Sequence, residues 1–319
     1  MNRILLATAL ACTCAAIALP CGAQDKPVRI LIGFPPGGTT DLLGRLVADK
    51  LKDSLGQIVL VENRPGAIAA IAAEAVKNAP PDGSMLLLNV VGSMIVAPNA
   101  RKSNTFDTLR DFAPVSLVTT SHLALAVGPG APVKSLGEFL DWAKANRGKA
   151  FYATSGAGSL PHMLGMLLAR ETGVGLTHVP YKGTAAYINE LIGGQVPSAF
   201  DAMGDLSEQH RSGRLRIIAI AGTSRSKLMP EIPTMKEQGI GVEGMAWFGM
   251  FAPAATPKAI QDRISGAIAK ALQQPDVAAR LVTLNMEPVG STPEEFRKVV
   301  QDDWNKWGAV VKASGFTLD

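Results

Sequence analysis

An α/β fold with mostly parallel sheets is the architecture this sequence predicts, and three observations point to it. Apolar runs of strand length alternate with amphipathic helical stretches over most of the chain. The joints between them are built from Gly, Pro, Ser and Thr. Strand-then-helix alternation with such joints is the pattern of βαβ units. Third, 319 residues are enough to bury a core and are usually two domains.

Taken in order, the expected strands are Val28–Phe34, Ile58–Val61, Met85–Val90, Val115–Val118, Leu123–Val127, Phe151–Thr154, Leu176–Val179, Ser198–Phe200, Ile217–Ala221 and Trp247–Ala252. Each is a short β-branched or apolar run bounded by turn residues. Helices are expected at Asp41–Leu55, Ala69–Lys77, Ser135–Asn146, Pro161–Thr172 and Ala185–Ile192, where apolar side chains recur at helical spacing. The last third is helical. Thr256-Pro257 opens one helix, with Thr as N-cap and Pro at the first position. Thr292 and Glu295 stand at capping-box spacing and open another. The stripe Phe296, Val299, Val300, Trp304, Trp307, Val311 on that helix reads as core rather than as a binding face.

The joint at residues 33–41 is the most telling. Strand residues Ile30-Leu31-Ile32 run into Gly33-Phe34-Pro35-Pro36-Gly37-Gly38-Thr39-Thr40-Asp41, and a helix follows at once. Such a joint leaves backbone N–H groups unpaired at the positive end of a helix dipole, which attracts anions. It also fits an ordinary strand-to-helix turn capped by Thr39, Thr40 or Asp41.

Residues 1–23 read as a secretory leader. Arg3 is its only charge, Ile4 to Leu19 are apolar, and Cys21-Gly22-Ala23 supply the small residues of a cleavage site. The expected compartment is the periplasm. Cys12, Cys14 and Cys21 all fall in this leader, so disulfides, thiolate catalysis and cysteine-bound zinc are not expected. The net charge of +4 with 5% aromatics gives no nucleic-acid footprint.

Enzyme motifs nearly match and then fail. Gly156-Ala157-Gly158-Ser159-Leu160-Pro161 begins like a dinucleotide loop but has Pro at the sixth position. Ser224-Arg225-Ser226-Lys227 fits SxxK without its companion motifs. His122, His162, His178 and His210 show no metal-ligand spacing. His162, in the first turn of a helix, is expected either to brace the preceding loop or to touch a ligand. Asp201, at a strand end, is expected to orient facing loops or to accept a ligand donor. No cofactor and no metal are expected. What remains is two more loops at helix starts, Ser155–Ser159 and Val179–Thr184. Three such joints suit a small anion held between domains.

The chain resembles the periplasmic receptors of tripartite tricarboxylate transporters, the Bug family. The resemblance rests on FPPGGTTD (34–41), VENRPGA (61–67), PDG (81–83), DFAPVSLV (111–118), TSGAGSLPH (154–162), HVPYKGT (178–184), LIGGQV (191–196), FD (200–201), GRLRIIAI (213–220) and WFGMFAP (247–253). It implies a two-domain clamshell of the type II periplasmic-binding-protein kind, monomeric, with residues 24–122 plus 248–319 in one domain and 123–247 in the other. It implies a small carboxylate in the cleft and delivery to a two-subunit membrane permease. Carried onto this sequence, the binding residues are Phe34, Gly37, Gly38, Thr39, Thr40, Asp41, Ile68, Ala69, Ser93, Ser155, Gly158, Ser159, His162, Lys182, Gly183, Thr184, Asp201 and Trp247.

The chain departs from the family where glycines usually follow ENRPGA: here stand Ile68, Ala69, Ala70, Ile71, Ala72 and Ala73. These side chains add apolar surface, so the expected ligand has a carboxylate and an apolar or aromatic body, packed by Phe34, Met94, Met203 and Trp247. Two other readings are open at this point: a sensor that presents the ligand to a signalling partner, and an exported serine hydrolase.

Overall fold

The computed structural model of the chain describes residues 26–318. The expected leader, with Cys12, Cys14, Cys21 and the expected cleavage site, lies outside the described residues. No helix among the described residues is long and apolar enough to cross a membrane.

Two sheets share one strand. The first has the order β2 (Val59–Asn63), β1 (Val28–Ile32), β3 (Met85–Val90), β9 (Met245–Pro253), β4 (Phe112–Val127), and the short β10 (Glu287–Pro288) also pairs with β4. In the second sheet β4 pairs with β7 (Ser198–Ala202) and β8 (Arg216–Ile220), and β5 (Phe151–Thr154) lies between β7 and β6 (Thr177–Pro180). Strands β1, β2 and β3 are parallel, as are β5, β6 and β7. The strands that join these sets, β4 and β9, run antiparallel to their neighbours. The sheets are therefore mixed, where the sequence pattern predicts mostly parallel ones.

The mixing has a physical origin in β4. Its 16 residues span about 50 Å at the usual rise. Phe112–His122 pair with β9, and Leu123–Val127 pair with β7 and β8. The sequence pattern splits it into Val115–Val118 and Leu123–Val127 because Thr119, Thr120, Ser121 and His122 interrupt the apolar run. Three of these polar residues are nevertheless buried, and two of them face the chain near β10, where His122 Nδ1 and Glu287 Oε1 keep no hydrogen-bond partner among the described residues. Ser121 Oγ donates to the Asn285 carbonyl at 3.2 Å, and His122 Nε2 stands 3.4 Å from Glu287 Oε1.

The core follows the predicted helical faces. Leu43, Val47 and Leu51 from the Thr39–Leu55 helix meet Ile264, Ile268 and Leu272 from the Lys258–Leu272 helix around Ile30 and Ile32. That second helix is N-capped by Pro257, one residue later than expected, and Thr256 Oγ1 is buried without a partner. The capping box of Thr292 and Glu295 forms as predicted. On the Pro293–Ser314 helix Phe296, Val300, Trp307 and Val311 are buried, as a core stripe should be.

Trp247 belongs to this core rather than to a binding wall. It is 2% exposed, packs edge-on against Phe296, and donates its indole N–H to Asp303 Oδ2 at 2.7 Å. Asp303 Oδ1 accepts from Trp307 at 3.2 Å. One carboxylate thus satisfies both indoles.

Candidate functional site

A cavity of about 390 Å³ lies between the ends of the two sheets. Its first wall is the joint after β1. The Thr39–Leu55 helix begins without a side-chain cap, with Gly38 in the N-cap position at φ −75° and ψ 169°. The first intrahelical bond there runs from the Leu42 N–H to the Gly38 carbonyl at 3.0 Å. The N–H groups of Thr39, Thr40 and Asp41 therefore have no partner within the helix. Phe34, Thr39 and Thr40 line the cavity.

Asp41 is neither N-cap nor wall. It is buried, and its carboxylate ties the joint together. Oδ2 accepts from the Gly37 N–H at 2.9 Å and from Arg45 at 3.0 Å, while Oδ1 accepts from Asn63 Nδ2 at 2.9 Å. Asn63 Nδ2 also donates to the Phe34 carbonyl at 3.1 Å. Burial disfavours this charge, but hydrogen bonds from Arg45, Gly37 and Asn63 outweigh it and hold Asp41 below the usual carboxylate range. Gly37 and Gly38 shape the turn without lining the cavity.

Beside this wall Ala67, Ile68 and Ala69 take φ values of 49°, 54° and 65°. Left-handed backbone costs an L-residue roughly 1–2 kcal/mol. The turn is held from both sides. Arg101 donates to the Ala67 carbonyl at 2.5 Å, and Ala69 presses on Gly33, where an added Cβ would come within 2.1 Å of it. The result puts the Ile68 side chain in the cavity and buries Ala69, which is not a lining residue. Ser93, in the π-helical turn Gly92–Val96, lines the floor.

The opposite wall is the Ser155–Ser159 loop at the end of β5. Ser159 caps the Leu160–Thr172 helix by accepting from the His162 N–H at 3.3 Å. The His162 ring braces the loop: Nδ1 accepts from the Gly158 N–H at 3.2 Å, and the ring stacks on His178 at 3.7 Å. Burial pushes both imidazoles down to about 4, with His178 adding to the shift at His162. His162 is thus a brace outside the cavity lining.

Asp201 fastens this loop to β7. Oδ2 accepts from the Ser155 N–H at 3.0 Å and from Tyr187 at 2.9 Å. Oδ1 accepts from Ser155 Oγ at 3.1 Å and from the Ala202 N–H at 2.9 Å. Asp201 is 3% exposed, and burial raises its pKa against the pull of these donors. Its acceptor sites are filled by the protein, so it orients loops. Lys182 is exposed and outside the lining, the Gly183 N–H donates to the Ser155 carbonyl at 3.0 Å, and Thr184 Oγ1 stands 3.4 Å from Asp201. These three residues back the wall rather than face the cavity.

Of the expected residues, the structure brings Phe34, Thr39, Thr40, Ile68, Ser93, Ser155, Gly158, Ser159 and Asp201 together around one cavity. Among the residues expected to pack an apolar ligand body, only Phe34 lines it; Met94, Met203 and Trp247 are buried in the core. Their place is taken by Val90, Leu123, Phe248, Leu284 and Met286. These are strand and loop hydrophobics with no signal in the sequence that separates them from core. Asp205, also in the lining, sits four residues after Asp201 and was equally unmarked. Among the described residues no Lys, Arg or His lines the cavity. The start of the Thr39–Leu55 helix, with its unpaired N–H groups, presents partial positive charge to it.

Residues 43–316 match the model of the tripartite tricarboxylate transporter family receptor. Protein BugT of Bordetella pertussis is 33% identical to the chain, over 100% of this chain and 99% of BugT. MatC of Rhodopseudomonas palustris, solved with bound malate, superposes with a TM-score of 0.78 at 31% identity, covering 89% of this chain and 98% of MatC. An R. palustris protein solved with adipate superposes with a TM-score of 0.82 at 29% identity, covering 91% of this chain and 98% of that one. The architecture is the α/β clamshell of type II periplasmic binding proteins, with its ligand cleft between two domains. The chain belongs to the tripartite tricarboxylate transporter family of receptors.

Proposed function

We propose that the chain is a periplasmic receptor that captures a small carboxylate with an apolar body and hands it, as a monomer, to a two-subunit membrane permease. The observation that carries this reading is the uncapped start of the Thr39–Leu55 helix, facing a cavity that no basic side chain lines among the described residues. Unpaired N–H groups at the positive end of a helix dipole accept one carboxylate. The apolar part of the lining, with Phe34, Ile68, Val90, Leu123, Phe248 and Met286, suits carbon. The relatives bound to malate and adipate support the ligand class, and adipate carries a methylene body.

The domain division follows the strand exchange: 24–122 plus 248–319 against 123–247, with β4 and β9 as the connections. A ligand touching both walls favours the closed arrangement by its differential affinity. Binding without turnover fits the wiring of Ser155, whose hydroxyl is hydrogen-bonded to Asp201 rather than to an imidazole.

The test is thermal unfolding of the exported chain against small polar diacids, aliphatic acids and aromatic acids. Ligand at about 100 times its Kd should stabilise the fold by about 2.7 kcal/mol. A selective rise in Tm with apolar-bodied acids is the expected result. A rise with malate alone would overturn the apolar body, and no rise with any acid, on protein shown by mass spectrometry to carry no ligand, would overturn the receptor reading.

A further inference from the structure

Two carboxylates, Asp201 and Asp205, line a cavity that on the reading above receives a carboxylate, and they differ in how they are held. Asp201 is saturated by two backbone N–H groups and two hydroxyls. Asp205 is not. Its one protein donor is Thr184 Oγ1, 3.3 Å from Oδ2, and that hydroxyl also stands 3.4 Å from Asp201 Oδ2. A hydroxyl has a single proton to give. Among the described residues no donor reaches Asp205 Oδ1, and no lining Lys, Arg or His offsets the charge. Desolvation by the surrounding wall and the charge of Asp201 push Asp205 up to about 6, yet its side chain is exposed where it lines the cavity, so near neutral pH it is an anion whose lone pairs are open to a ligand.

Asp205 also lies on the other wall from the open helix start. It opens the Met203–Arg211 helix after β7, whereas Thr39 follows β1. A ligand whose carboxylate seats at Thr39–Asp41 and whose body crosses the cavity therefore ends near an acceptor. A second carboxylate there would meet like charge as the two walls close on the ligand and exclude water. A hydroxyl or an ammonium would fill the lone pairs.

Resting on the carboxylate-receptor reading, we propose that Asp205 selects the far end of the ligand, so that this receptor takes monocarboxylates bearing a hydroxyl or ammonium donor in preference to diacids. Polar readout of this kind discriminates strongly, because closing the walls over an unmatched partner leaves a polar group unpaired.

The experiment is calorimetric titration of the exported chain with straight-chain acids of several lengths. Within each length the acids differ only at the far end: methyl, hydroxyl, ammonium or carboxylate. The expected result is at least tenfold tighter binding of a hydroxyl- or ammonium-ended acid than of the matching diacid, and the two donor arms show which one is read. Asp205→Asn and Asp205→Ser should each reduce that preference at least tenfold, with the diacid gaining. Diacids preferred by the unaltered chain, or binding with no far-end preference, would overturn the role of Asp205 while leaving the receptor reading intact. Failure of every acid to bind would remove both. The preference of the unaltered chain decides the matter even where a variant does not fold.

Discussion

The two loops that face each other across the cavity solve the same local problem in opposite ways. The joint at Thr39 anchors itself from behind, through Asp41, Arg45 and Asn63, and leaves the start of its helix open. The Ser155–Ser159 loop spends its polar groups on the protein. The Ser155 N–H goes to Asp201, that of Gly156 to Thr154, that of Gly158 to His162, and Ser159 caps its own helix. An open helix start suits an anion; a filled one makes a firmer wall. On the proposed function, capture falls to the first loop and shape to the second, and that division can be broken at either.

The largest effect should come from the wall. Asp201→Ala would leave two backbone N–H groups and two hydroxyls facing no acceptor in a buried place. We expect a loss of about 3–5 kcal/mol, read from thermal or urea unfolding. The matching change at the joint, Asp41→Ala, should cost less, about 1–2 kcal/mol, because Arg45 is 53% exposed and water can replace its partner. Equal losses at the two sites would mean that the joint is as buried in its function as the wall.

Acid should act on the same asymmetry. His162 and His178 have folded pKa values near 4 against an ordinary 6.5, so the unfolded chain binds more protons between those limits. Stability that is full above pH 6.5 should therefore decline as pH falls towards 4, by roughly 3 kcal/mol per imidazole at most. Asp41 is held below the usual carboxylate range and stays charged through this window. Melting curves from pH 7.5 to 4.5 should show the decline, to which the buried His122 and the half-buried His210 add, and His178→Asn should reduce it. A flat profile would show that water reaches the stacked rings.

Much of this contrast was legible in the residues. The loops stand out because Gly, Pro and hydroxyl residues interrupt apolar runs, and the capping geometry of Ser159 and Thr292 follows from spacing alone. The division of labour within the loops was not. Thr39, Thr40 and Asp41 are interchangeable as cap candidates in one dimension. Only the arrival of Asn63, from the parallel neighbour strand, turns Asp41 inward and leaves Gly38 as the cap. Trp247 misleads for a related reason. An aromatic at a strand start looks available until a helix some fifty residues later supplies Asp303. The apolar lining is the least legible part, since Leu123 and Phe248 differ from core residues only in ending at a cavity instead of at another side chain.

The finest separation of the two loops uses one glycine from each. Gly158 has a φ of +71°, and an added Cβ would stand 2.8 Å from Leu318 Cδ1. Gly158→Ala should therefore cost the fold about 1–2 kcal/mol, with a ligand effect no larger than the stability effect. Gly38 has φ −75° and ψ 169°, an extended conformation that suits a β-branched residue. The nearest atom to an added Cβ is the Pro35 carbonyl oxygen at 3.7 Å, an ordinary contact. Gly38→Val should leave Tm nearly unchanged, within about 0.5 kcal/mol. If a carboxylate seats on the N–H groups that follow, the branched side chain crowds it and affinity should fall at least fivefold in calorimetric titration. Affinity that survives Gly38→Val but falls in Gly158→Ala would reverse the assignment, making the filled loop the one that binds.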